Sequence, residues 1–256
     1  MFPLRDHNPS GCTPYVVYCL IAVNVLVHMF FYGAHATPQA LMQFYQTYGI
    51  IPAEISHGEG TATLFTSVFL HGGLMHLGGN MLFLWIFGDN LEDEMGPLPF
   101  LAFYLACGIG AGLIHVWTAP ESQVPTIGAS GAIAGVLGGY LLLFPKARVD
   151  VLLIFIVFFR VITVPASLML GLWLALQIFG GMGANPDEGG VAYWAHAGGF
   201  GVGLVFTLPL WLKRGGASYW SKTQGLPPNP KTEYTYSVTR VPRLPRKKKQ
   251  PSPWGK

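Results

Sequence analysis

Two residues of this chain have the types needed for acyl transfer: Ser130, in Gly128-Ala129-Ser130-Gly131, and His196, in Ala195-His196-Ala197-Gly198-Gly199. A serine hydroxyl is a weak nucleophile until a base takes its proton, and an imidazole within hydrogen-bond reach is the commonest such base. Both stand just inside one end of an apolar segment of membrane-spanning length, where polar side chains are costly and functional by default. A third segment carries His71-Gly72-Gly73-Leu74-Met75-His76-Leu77-Gly78-Gly79-Asn80. His76 and Asn80, at spacing four, share one helix face. With the backbone N–H of Ser130 at the positive end of its own helix, they are candidate donors to a developing oxyanion. With equal starting planes, His76 and Asn80 lie several residues deeper than Ser130. Their meeting requires either a second span that projects above the membrane or a loop before Gly128 that dips in and starts the fourth span late.

The elements that must position these groups follow from composition. Only 27 of 256 residues are charged, 15 basic and 12 acidic, against 51% hydrophobic. The apolar residues come in blocks of about 20, the length that crosses a bilayer core of ~30 Å. The chain therefore reads as an all-α polytopic membrane protein with six spans: Tyr15 to Ala34, Leu64 to Gly88, Pro97 to Thr118, Ile127 to Phe144, Pro165 to Met182 and Val191 to Leu212. Residues 1–14 form a short terminus, 15–212 the membrane domain and 213–256 a tail. Asp89 to Gly96 reads as an acidic turn, and Val149 to Val164 as a β-hairpin-like surface run between Pro145-Lys146-Ala147-Arg148 and the fifth span. Ala34-His35-Ala36 has the form of a cleavage site, but the 20-residue run before it is too long for a signal peptide's core and reads as a retained span.

Charge sets the expected topology. Arg5, Lys146, Arg148, Lys213, Arg214 and the basic tail fall on one side, and the opposite loops contain no Lys or Arg. By the positive-inside rule both termini are cytoplasmic. Spans four and six then run in the same direction, with Ser130 and His196 four to six residues in, roughly 6–9 Å at 1.5 Å per residue. Gly131, Gly135 and Gly139 on one span and Ala195, Gly199 and Gly203 on the other are small residues at spacing four, the pattern that lets helix backbones approach in lipid.

On these residues the chain resembles the rhomboid family of intramembrane serine proteases, of the six-span bacterial type. The likeness covers roughly residues 12–212 and rests on His71, His76 and Asn80, on Gly128-Ala129-Ser130-Gly131, and on Ala195-His196 followed by Gly199 and Gly203. It implies a six-helix rhomboid bundle in which Ser130 is the nucleophile and His196 the general base, a dyad without a third acidic member. Asn80, His76 and the Ser130 amide would form the oxyanion hole. Glu92 matches a glutamate that anchors the inner end of the second span. The resemblance further implies membrane-protein substrates, a bacterial inner membrane, and a site opening to the outer face. The sequence departs from the family at Ala134, where many members place an aromatic beneath the base histidine, and in the stretch from His35 to Thr61, which lacks the usual Trp-Arg pair.

Two rival classes compete with the protease: a noncatalytic rhomboid-like protein that binds membrane clients, and a small-solute transporter. The latter would place polar groups near the midplane on repeated halves, and no internal repeat is seen. His71 reads equally as a site residue or as a satisfied histidine at the helix top. Asn24, His28, His115 and Gln177 read as interhelical glue. The Pro-rich tail from Gly215 onward reads as disordered, its Arg246-Lys247-Lys248-Lys249 run facing anionic headgroups or solvent. No metal, cofactor or nucleic acid is called for, and the oligomeric state stays open.

Overall fold

The computed structural model describes residues 2–34, 37–155, 158–185 and 187–227. In chain order these form β1 (Phe2–Asp6), α1 (Tyr15–Ala34), α2 (Pro38–Tyr48), α3 (Pro52–Ser56), α4 (Thr63–Thr66), α5 (Leu74–Met95), α6 (Pro97–Thr118), α7 (Ser130–Leu143), β2 (Arg148–Phe155), β3 (Phe158–Pro165), α8 (Ala166–Gly183), α9 (Tyr193–Lys213) and α10 (Ala217–Thr223). A single 3-10 turn, Ser67–Phe69, follows α4.

Each expected span overlaps a helix, and the bundle is mostly helical as expected. Among the described residues α6, α8 and α9 are long and apolar enough to cross a membrane, and α7 is shorter. At 1.5 Å per residue the 14 residues of α7 reach only about 21 Å. Helix α7 is apolar all round and buried along most of its length, as a helix without a polar face must be. Helices α5, α6, α8 and α9 pack around it.

The second span is corrected most. Helix stops at the 3-10 turn, Leu70 and Gly73 are extended, and α5 starts only at Leu74. Gly72 and Gly73 supply neither helix propensity nor a capping side chain. At its other end α5 runs on through the expected acidic turn to Met95, although carboxylates are unfavourable at a helix C-terminus. Three of these carboxylates find compensation. Glu92 accepts from the N–H groups of Val16 (3.0 Å) and Val17 (2.9 Å), satisfying the free N-terminus of α1. Asp93 accepts from Gly11 N–H at 2.8 Å, and Glu94 pairs with Arg214. Gly96, at φ +83°, ends α5 and hands the chain to Pro97 at the start of α6.

The all-α expectation is corrected by a small three-stranded antiparallel sheet in the order β1-β2-β3, two strands of which connect the C-terminal end of α7 to the start of α8. The hairpin-like run is the β2–β3 pair, and β1 is recruited from the N-terminus, Phe2 opposite Leu152 and Asp6 opposite Val149. Asp150 fastens this seam through Arg5 (2.8 Å), His7 (2.9 Å) and Thr163 (2.6 Å). The tail is ordered at its start: α10 packs back, Trp220 Nε1 donating to Leu142 O at 2.9 Å. The rest of that tail, from 228, and the His35-Ala36 part of the cleavage-like motif lie outside the described residues.

Asp6 makes the sheet sensitive to pH. It accepts from the hydroxyl of Tyr140 at 2.6 Å, and burial pushes its carboxyl up from 3.8 to about 6 in spite of that bond. A raised carboxyl favours the folded state while protonated; that advantage is complete below the unfolded value and is lost as pH rises through about 6. Asp6→Asn is therefore expected to stabilise the protein at neutral pH by roughly 1–3 kcal/mol and to change little near pH 4, the Asp6 unfolded value. Thermal unfolding in detergent at both pH values checks this; equal shifts at the two would refute it.

Candidate active site

The site is built at one end of α5, α7, α8 and α9. Three contacts fix where α7 begins. Ile50 and Thr126 exchange backbone hydrogen bonds of 2.9 and 2.8 Å, and His115 on α6 meets the hydroxyl of Thr126 at 2.9 Å. Gly128 N–H donates to Ser67 O at 2.9 Å. Gly128 itself sits at φ +130°, which excludes most side chains, and the chain then enters the helix at Ser130. Ser130 thus stands at the N-terminus of α7, whose first N–H groups are free of intrahelical partners.

His196 comes from the first turn of α9, which lies against α7 at backbone contact. A Cβ on Gly199 would collide with Gly131 O, one on Gly203 with Gly135 O, and one on Gly138 with Phe200 O. The expected small-residue face is therefore present, with Gly138 an unforeseen member. Gly139 meets Thr207 of α9 as well as Leu91 of α5, and Gly131 also packs on Ala111 of α6. The approach leaves Ser130 Oγ 2.8 Å from His196 Nε2.

The opposite wall comes from α5. Gly72 N–H donates to His76 Nδ1 at 3.3 Å. A backbone N–H can only donate, so Nδ1 carries the lone pair and Nε2 the proton. That Nε2 faces Gly128: a Cβ there would lie 2.8 Å from it and 3.5 Å from Ser130 Oγ. Asn80 is buried, and its Nδ2 donor has no acceptor among the described residues. With α5 starting at Leu74 and α7 at Ser130, His76, Asn80 and Ser130 come together at one end of the bundle. Ser130, His196, His76, Asn80, Gly128 and Gly131 all line one cavity of about 680 Å³.

The remaining expected site residues lie elsewhere. His71 is buried behind His76, the rings edge to face at 5.1 Å, and its carbonyl accepts from Tyr45 at 3.0 Å. Glu92 is at the far end of α5, about 24 Å from His76 along the helix axis. Gly199 and Gly203 act only through packing. Asn24 bonds Leu20 O of its own helix at 2.8 Å rather than a neighbour. The first loop, without its Trp-Arg pair, is held by the Ile50–Thr126 bridge and by Tyr45. Among the described residues no three His, Cys, Asp or Glu side chains converge as metal ligands.

Two contacts to His196 come from residues that the sequence analysis did not place in the site. Trp173 stacks on its ring at 5.9 Å and 27°, in the role left open by Ala134. Gln177, expected only to tie helices together, places Oε1 2.8 Å from His196 Nδ1. Their spacing of four on one face of α8 was the available signal.

Comparison with known proteins gives a consistent relationship. The model of the Rhomboid domain matches residues 59–213. Rhomboid protein 1, mitochondrial, of Saccharomyces cerevisiae is 31% identical over 195 residues, 75% of this chain and 52% of its own. Rhomboid protease GluP of Bacillus subtilis is 36% identical over 132 residues, 50% of this chain and 24% of its own. RHOMBOID-like protein 5 of Arabidopsis thaliana is 38% identical over 78 residues, 30% and 25% of the two chains. The chain spans about half the length of the first of these and about a quarter of the other two.

Proposed function

The chain belongs to the rhomboid family of integral membrane proteins, and from that premise we propose that it is a serine endopeptidase cutting peptide bonds in or near the transmembrane segments of other membrane proteins. The observation that carries the reading is the 2.8 Å contact between Ser130 Oγ and His196 Nε2 inside a cavity that also receives His76 and Asn80. The helices α1, α5, α6, α7, α8 and α9 are the six membrane-embedded elements, both termini cytoplasmic, with the cavity on the outer side. In this reading Ser130, at the start of the short α7, lies below the outer surface and water reaches it through the cavity.

In this reading His196 Nε2 takes the Ser130 proton as Oγ attacks the scissile carbonyl. The oxygen that gains charge meets the Nε2–H of His76, the Nδ2 of Asn80 and the Ser130 N–H, all positioned before reaction. His196 returns its proton to the leaving amine, an acyl-enzyme forms on Ser130, and water hydrolyses it with His196 again as base. A substrate helix must unwind first, since its carbonyls are otherwise bonded within the helix; segments rich in Gly or Pro near the outer leaflet are the expected substrates.

The test is active-site labelling. Reconstituted protein should cleave a reporter transmembrane helix and take up a serine-directed phosphonate on Ser130, with loss of activity in step with labelling. If no reporter in a varied panel is cut and no phosphonate reaches Ser130, the protease reading falls and client binding replaces it.

A further inference from the structure

We infer that Gln177 is a positioning residue for His196, making the site a hydrogen-bonded Ser130–His196–Gln177 relay rather than a bare pair; the inference rests on the protease reading. Gln177 is a buried amide on an otherwise apolar helix, a costly placement unless both its ends are satisfied. Both are. Its Nε2 donates to Trp173 O at 3.2 Å, one turn back on α8. A backbone carbonyl can only accept, so the amide orientation is decided: nitrogen toward Trp173 and oxygen toward α9. That oxygen is the atom 2.8 Å from His196 Nδ1.

An amide oxygen is an acceptor only, so His196 Nδ1 must carry the proton. The neutral ring then has its lone pair on Nε2, the nitrogen 2.8 Å from Ser130 Oγ. The chain of orientation runs without a free choice, from Trp173 O through the Gln177 amide and the imidazole to the serine hydroxyl. The same turn of α8 supplies the ring's platform: Trp173 stacks on His196 at 5.9 Å and also meets Phe200 at 6.2 Å. With Ala134 beneath the site, the base takes both its tilt and its tautomer from α8. A neutral amide orients the ring without adding a charge to the membrane-embedded site, where an unpaired carboxylate would be expensive.

Two readouts test this, one of them independent of proteolysis. Histidine-selective nitrogen-15 NMR, with the His196 signals assigned by their loss in His196→Ala, should show Nδ1 protonated and Nε2 bare in the parent above neutral pH. In Gln177→Leu the two tautomers should mix. In parallel, kcat for reporter cleavage should fall roughly 10- to 100-fold with KM within about twofold, because Gln177 does not line the cavity. Gln177→Glu keeps an acceptor at that place and should restore both the tautomer and most of kcat. A Gln177→Leu protein with the parent's tautomer and kcat overturns the proposal. So does a Gln177→Glu protein as impaired as the leucine variant in both readouts. A parent that cleaves nothing would sink the protease reading instead, and the tautomer measurement would still decide the role of Gln177.

Discussion

Ser130→Ala is expected to lower kcat/KM for a reporter transmembrane helix by roughly 10⁴-fold or more, and His196→Ala by a similar factor. The magnitude follows from covalent chemistry: with either residue missing there is no activated nucleophile, and what remains is water attack assisted by the oxyanion donors. Because the pair acts as one unit through its 2.8 Å contact, the double variant should be no worse than either single one. Asn80→Ala is different in kind. It removes one donor and leaves the nucleophile, so a loss of about 10²- to 10³-fold is expected, mainly in kcat. Single-turnover cleavage in proteoliposomes measures all four. Additive losses in the double variant would show that Ser130 and His196 do not act together, and an Asn80 variant equal to the parent would remove it from the oxyanion hole.

The second large effect is expected at Gly203, which never meets substrate. A Cβ there would run into the O, Cα and C atoms of Gly135, all backbone, so nothing local can rotate aside. Gly203→Leu should force α7 and α9 apart, at a cost of about 3 kcal/mol or more, the upper range for overpacking. Activity should fall with it. The separation of Ser130 from His196 is set by the same helix contact, and a displacement of about 1 Å is enough to lose some 10²-fold. Gly201→Ala, on the same helix with nothing within 4 Å of the added carbon, is the matched control. It should be neutral or, through helix propensity, slightly stabilising. Thermal unfolding in detergent and reporter cleavage, measured on both variants, separate the two cases; equal behaviour would mean that close approach at Gly203 is not needed.

Much of the architecture was legible locally. Apolar runs located the long helices, β-branched residues between Asp150 and Arg160 marked a hairpin, and glycines at spacing four marked the α7–α9 contact. Helix ends were harder. The apolar residues flanking Leu70–Gly73 merge into one run that hides the break made by His71-Gly72-Gly73, and the polar stretch from Asp89 to Glu94 hides the extension of α5. Glu92, Asp93 and Glu94 end up helical with distant groups bound to them: the N-terminus of α1, Gly11 and Arg214. Likewise nothing in Phe2–Asp6 demands a strand until β2 offers its edge.

The candidate site divides along the same line. By itself the sequence determined the membrane class, the family, and which residue types stand near helix ends in polar stretches that lipid does not tolerate without partners. Those properties follow from side-chain chemistry and periodicity, which are local. Only the tertiary structure decided that α5 and α7 both start late enough for His76, Asn80 and Ser130 to share a cavity, that Gly128 leaves room for the His76 ring, and that Trp173 and Gln177 hold His196. Each of these depends on the offset between helices far apart in the chain, and that offset is set by packing and by long-range hydrogen bonds, which no single segment encodes.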